Sequence, residues 1–387
     1  MLRLRKEVRL NHLMPILVKI KVRPMNTPTP PNTGQRIQWY RTPLPKETLA
    51  ALNAKSDAKG FVQAVGHLAI ILSGSAAALY GAANSLWWLM ALGLFVHGTA
   101  ISFCINAVHE LDHKCVFKTQ WLNPFFARIF AFPQWIHYDH FYTSHMRHHQ
   151  FTLHPPDDLE VVLPLKVLTI NFFKYGFINP NNLAMQGPIK GCLRLMKGRF
   201  EGEWETKLYP ADQPEKAEPI KRWARTLLLS HAVVLVVSII GAIFHSPVWL
   251  LVPVLTSLNP LYGSWLFFLC NNTQHIGLQD NVPDFRLSCR TFLLNPIPRF
   301  LYWQMNYHTE HHMYAAVPCY NLGKLHQAIK HDLPPCPVGL YATWQEIAAI
   351  QRKQAADPTY QHVAALPGTH AAQNMDTKLA SDGVLQG

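Results

Sequence analysis

The chain has 387 residues, 49% of them hydrophobic and only 15% charged, with a formal net charge of +12. Length alone fits one large domain or two ordinary ones, but a charged fraction well under the usual quarter argues against an ordinary soluble globule. The positive balance suits nucleic acid or an anionic membrane leaflet; no nucleic-acid-binding motif is present, and the long apolar runs described next favour the membrane.

Residues 1–60 carry twelve Lys or Arg against Glu7, Glu47 and Asp57 and hold no apolar stretch long enough to span. They read as a basic cytoplasmic arm, whose segment from Leu2 to Arg23 is read equally as a targeting peptide or as upstream of a true start at Met25. Four apolar stretches follow at about 61–82, 85–108, 223–244 and 247–270, each near the ~20 residues a membrane helix requires. Only Ala83 and Asn84 separate the first two, and only His245 and Ser246 the second two. The expected fold is therefore all-α and integral to the membrane, with four transmembrane helices in two hairpins and a helical cytosolic cap. With the basic arm in the cytoplasm, segments 109–222 and 271–387 are cytoplasmic as well, in a bacterial inner membrane or the endoplasmic reticulum. The domain division is the arm 1–60, a membrane domain 61–352 and a polar, Ala-rich tail 353–387 expected to be disordered.

Between the hairpins, residues 119–136 are apolar but interrupted by Pro124 and Pro133, which predicts a helix lying in the interface. Residues 160–200 carry Lys166, Lys174, Lys190, Arg194, Lys197 and Arg199, a composition suited to an anionic surface. Seven cysteines show no CxxC spacing, so neither a zinc knuckle nor thiol redox chemistry is implied.

Three histidine clusters carry the chemistry: HELDH at 109–113, HMRHH at 145–149 and HTEHH at 308–312. On a helix, residues three and four apart share a face, so these spacings gather His109 with His113, His145 with His148 and His149, and His308 with His311 and His312. His275, four residues after Asn271, is a ninth candidate. With 21 histidines in the chain, HxxHH would arise by chance roughly 0.06 times, so two copies are a signal. The expected topology puts all nine just beyond one membrane face. Nine imidazoles suffice for two metal ions, with an iron pair favoured and a zinc pair the alternative, since zinc usually takes four ligands and copper prefers sulfur company. Carboxylates at Glu110, Asp112, Asp157, Asp158 and Glu310 are candidates to accept hydrogen bonds from the outer ring nitrogens. His67, His97 and His231, inside the spans, are expected to be hydrogen-bonded packing residues. His137, His140 and His154 flank the second cluster and are weaker candidates for support.

The pattern HxxxH, HxxHH, HxxHH and NxxxH, read at His109/His113, His145/His148/His149, His308/His311/His312 and Asn271/His275, resembles the membrane fatty-acid desaturase superfamily. The likeness extends through NYHTEHHMYAAVPCYNL and covers about residues 40–345. It implies a four-helix membrane stalk with a helical cap, two iron ions held by the nine histidines, Asn271 acting through a bound water, and O₂ as co-substrate. The implied reaction is insertion of a double bond into a fatty-acyl or related lipid chain. Hydroxylation or ketolation at the same centre, or desaturation of a small specialised metabolite, is the alternative. Two departures stand out: the first box reads HELDH where many relatives have a small residue before the second histidine, and no haem-binding HPGG is present. Electrons are then expected from a separate donor, cytochrome b5 or a ferredoxin with its reductase. A rival of another class, a metal transporter or sensor, predicts ligands along a path within the spans, which this pattern does not have.

Overall fold

The structure, a computed structural model, describes residues 36–165, 167, 169–179 and 185–367. Residues 1–35 and 368–387, and with them Met25 and most of the expected arm and tail, lie outside the described residues. Among those described the chain is helical and forms no strand, only isolated bridges.

Part of the arm is folded. Trp39 donates its indole N–H to the Gln150 carbonyl, and Tyr40 and Thr42 both donate to the Asp332 carboxylate. Helix α1 follows at Lys46–Leu52. Helix α2, Asp57–Ala83, begins where the Ser56 hydroxyl accepts from the Lys59 N–H, and its 27 residues reach about 40 Å, enough to cross a ~30 Å hydrocarbon core.

Helices α3 (Trp87–Ile101) and α4 (Cys104–Asp112) form one apolar run, Trp87–Asp112, broken at Ser102–Phe103. The break leaves carbonyls outside the helical ladder, and polar side chains take them: His67 on Ala100 and Gln134 on Ile101. The α2–α3 pair is close because Gly74, Ala78 and Gly81 share one face; a Cβ on Gly93 would sit 2.4 Å from the Ala78 nitrogen, the small-residue contact typical of membrane helices.

Helix α5 (Leu122–Ala131) buries Leu122, Phe126 and Phe130 while Trp121, Phe125 and Ile129 stay exposed. A helix apolar on both faces suits the interfacial position expected for 119–136. Next come α6 (Tyr138–Phe151), α7 (Thr169–Gly176), α8 (Gln186–Met196) and α9 (Gly202–Leu208). Arg194, expected on an anionic surface, is instead committed internally: its guanidinium grips Glu205 and the Arg199 carbonyl.

Helix α10, Glu218–Phe244, is part of the third long apolar run, Pro214–Phe244. Val233, Val237, Ile240 and Phe244 are exposed on it, which lipid allows and water would penalise. The expected fourth span is not one helix. Residues 247–270 form a 3₁₀ turn, helix α11 (Leu251–Thr256), a second 3₁₀ turn at Asn259–Leu261 and helix α12 (Trp265–Asn271). Pro253 and Pro260 cannot continue an α-helical ladder, and Gly263 turns the chain with φ +82°. The freed groups find partners in the protein: the Ser257 carbonyl accepts from Trp135, the Leu261 carbonyl from Asn179 N–H, and the Gly263 N–H donates to the Phe177 carbonyl. Among the described residues, three helices are thus long and apolar enough to cross a membrane.

The remaining helices, α13 (Phe285–Ser288), α14 (Pro296–Leu301), α15 (His308–Met313), α16 (Cys319–Ile329) and α17 (Gly339–Ala356), close over the site. The tail expectation is corrected in its first part: α17 runs past residue 352, and the chain after it is pinned where His362 N–H donates to the Gly277 carbonyl and Gln361 to Asp280. The span histidines pack in the interior with hydrogen bonds, although Nε2 of His97 has no partner. His67 also accepts from Trp303, His97 meets the Tyr262 hydroxyl at 2.9 Å, and His231 is stacked between Phe132 and Trp135 with Ser257 on its Nδ1.

Candidate metal centre

The kink between α3 and α4 aims His109 and His113 inward, while α6 and α15 each present their HxxHH face to the same point. His275 comes from the turn after α12 rather than from a helix, its ring held by a 2.8 Å hydrogen bond from Nδ1 to the Ser288 carbonyl. Two groups of donor atoms result. His109, His113, His145, His149 and His311 each bring a ligand atom within 4.8 Å of the others, and so do His275, Cys289, His308 and His312. His148 stands beside the second group, its ring 5.4 Å from that of His275 and 5.1 Å from that of His312.

The outer nitrogens fix what the inner ones offer. A carbonyl or carboxylate on Nδ1 accepts a hydrogen bond, so the ring carries its proton there and turns a lone pair inward at Nε2. Ser288 does this for His275, and Asp158, 2.7 Å away, for His148. Glu160 lies 3.3 Å from Nδ1 of His145. The buried Glu110 has an oxygen 3.1 Å from Nδ1 of His311 and 3.5 Å from that of His109, too poorly aligned for a regular hydrogen bond to either.

Inside the first group, Nε2 of His145 is 3.0 Å from that of His149 and 3.3 Å from that of His113, and His149 is 3.2 Å from His311. A ring nitrogen either donates or accepts, so nitrogens gathered this way cannot all satisfy one another, and a cation among them satisfies all.

Burial keeps the rings neutral. It pushes His113 and His275 down to about 3, and burial with the neighbouring rings holds His145, His149, His308, His311 and His312 well below the ordinary range. His148 is the exception: burial works to lower it, and the Asp158 carboxylate reverses the sign. Burial raises Glu160 to about 7.

A family model described as fatty acid desaturase matches residues 85–344. The chain belongs to the fatty acid desaturase family. No curated protein sequence gives a significant match to it. The family implies a di-iron cofactor, and the convergent lone pairs fit one: neutral nitrogen donors in two adjoining groups, buried except for the half-buried His113 and His149.

As a desaturase-family site, it assembles most of what the sequence pointed to. The nine histidines meet, and Asn271 lines a cavity with Asn106, Phe141, Val161, His275 and His308. Asp158 meets a ligand ring. Asp157 does not; it pairs with Arg147 and Lys207. Glu310 turns away from the rings to His326, 2.5 Å away, and to Thr291. His140 faces Glu205, and His154 the Thr152 carbonyl. Two residues escaped sequence reasoning. Glu160 reaches His145 and the Ser144 hydroxyl from a loop, and Cys289 joins the second group from a non-adjacent segment; neither belongs to a spaced motif.

Proposed function

We propose that this protein is a membrane-bound, O₂-dependent di-iron oxidoreductase that introduces a double bond into a lipid acyl chain. The observation that carries the reading is the set of inward Nε2 lone pairs in two groups at one wall of a cavity whose other lining includes Ile105, Phe141, Val161, Leu165 and Ile276. His109, His113, His145, His149 and His311 would hold one iron, and His148, His275, His308 and His312 the other, with Asn271 acting through water. Bound there, iron supplies activation of O₂ for attack on an unactivated C–H bond.

The protein's own contribution is positional. The apolar wall aligns a chain and excludes water, and small displacements of the reacting carbon decide between loss of a second hydrogen and gain of oxygen. Asp158, Glu160 and the Ser288 carbonyl hold the outer ring protons of His148, His145 and His275 and so keep their inner nitrogens ready. Electrons come from a separate donor, cytochrome b5 or a ferredoxin with its reductase, at the cytoplasmic side.

Protein purified with iron and supplied with NADH, reductase, donor and acyl substrates should consume O₂ and yield products two hydrogens lighter. Gain of one oxygen would make it a hydroxylase instead. Removal of iron by a chelator should abolish turnover and ferrous iron should restore it. Full activity in a metal-free sample, or in His311→Ala with normal membrane insertion, would overturn the assignment.

A further inference from the structure

Cys289 is 3% exposed, and its thiol makes only a long 3.8 Å contact with the hydroxyl of its neighbour Ser288. Its backbone is fixed at both ends. The N–H donates to the Phe285 carbonyl, closing α13, and the carbonyl accepts from the Thr309 hydroxyl at 3.1 Å, next to His308. One residue earlier, the Ser288 carbonyl orients His275. A single dipeptide therefore aims one ligand ring, clamps the helix that carries two others, and leaves its sulfur within 4.8 Å of all three.

Buried polar atoms at the same place lack partners. Nε2 of His312 and Nδ1 of His308 have no hydrogen-bond partner, while Nε2 of His308 donates to Nε2 of His275 3.0 Å away, whose own proton is committed at Nδ1. From this we infer that the Cys289 thiolate is a ligand of the second metal position, so that this position combines sulfur with imidazole while the first is all imidazole. The inference rests on the metal-centre reading given above.

The other buried cysteines do not share this setting. Cys115 contacts the Glu110 carbonyl at 3.9 Å and Cys192 lies 3.9 Å from His137, and among the described residues Cys289 is the cysteine found within a group of ligand histidines. On metal binding the S–H proton leaves to solvent and the sulfur coordinates as thiolate, with no change in oxidation state. A thiolate donates more electron density to iron than imidazole does. The two irons would then differ in reduction potential, and the sulfur-bound one would be the harder to reduce.

The full-length protein, freed of metal and loaded with Co²⁺, distinguishes the possibilities. Two cobalt ions per chain with a sulfur-to-cobalt charge-transfer band in the near ultraviolet are expected. Cys289→Ser should lose the band and retain at least one cobalt, while Cys336→Ser should keep it. Two bound cobalt ions without the band, or a band that survives in Cys289→Ser, overturns sulfur ligation and leaves the metal centre standing. Failure to bind cobalt or iron at all overturns both. X-ray absorption at the iron edge on unmutated protein decides the matter without a variant: a sulfur scatterer at about 2.3 Å is expected, and a purely nitrogen and oxygen shell refutes it.

Discussion

Asp157 and Asp158 are adjacent in the chain and do different work. Asp158 is fully buried, accepts from Nδ1 of His148 and also from the Leu153 N–H; Asp157 holds Arg147 and Lys207 at the surface. Removing an acceptor behind a ligand ring typically weakens metal binding about 10–100-fold. Asp158→Ala should therefore lower the affinity of one of the two positions by that factor in an iron titration, while Asp157→Ala leaves both unchanged; equal behaviour of the two variants would contradict the roles assigned. The buried rings also set a pH dependence. His113 and His275 titrate at about 3 in the folded protein against about 6.5 unfolded, so the unfolded chain binds more protons between those values. Stability of the metal-free protein is fully present above pH 6.5 and falls with acidification, by up to about 1.4 kcal/mol per ring per pH unit. A melting temperature that is flat or rising between pH 7 and 5 would refute neutral burial. At this scale the histidines were legible because HxxxH and HxxHH are local patterns. Glu160 was not, since it meets His145 from 15 residues away through a loop, and no spacing rule links Cys289 to His308.

Among the elements, the fourth apolar stretch is the one hydropathy misjudges. Residues 247–270 carry no charged side chain and are mostly apolar, but Pro253, Pro260 and Gly263 break the helix, and a hydropathy window weighs side chains without counting backbone hydrogen bonds. Irregular backbone at membrane depth survives where protein surrounds it, and here residues 177–179, Trp135 and the Asn259 amide, which donates to the Leu255 carbonyl, supply the partners. Backbone meets backbone where Gly263 crosses Gly98: a Cβ on Gly263 would lie 2.4 Å from the Gly98 backbone, at a φ of +82°. Gly263→Ala should cost about 2–3 kcal/mol, combining the left-handed backbone with overpacking. Gly202, with φ +77° and nothing within 4 Å of an added Cβ, should lose only about 1 kcal/mol as alanine. Thermal unfolding in one detergent compares them directly, and equal losses would mean that the crossing is looser than described.

For the whole molecule, the ends of the described chain meet the cap. Trp39 and Tyr40 reach Gln150 and Asp332, and His362 reaches Gly277, so the N-terminal segment, the ligand helices and the segment after α17 share one side. The hairpin turns at Ser85 and His245 lie at the far ends of α2 and α10, beyond the exposed apolar surface that marks the lipid-facing band. From the excess of Lys and Arg before α2 we propose that the cap side is cytoplasmic. In a Cys336→Ser background, where the remaining described cysteines are buried, Ser85→Cys and His245→Cys should react with a membrane-impermeant maleimide from outside sealed cells. His331→Cys, exposed on the cap, should react only after lysis. The broken fourth segment gives this test its force: if residues 247–271 did not return across the bilayer, His275 would be stranded on the side opposite His109, although the two groups of donors adjoin in the fold. Labelling of His245→Cys and His331→Cys from the same side would therefore dismantle the metal centre along with the topology.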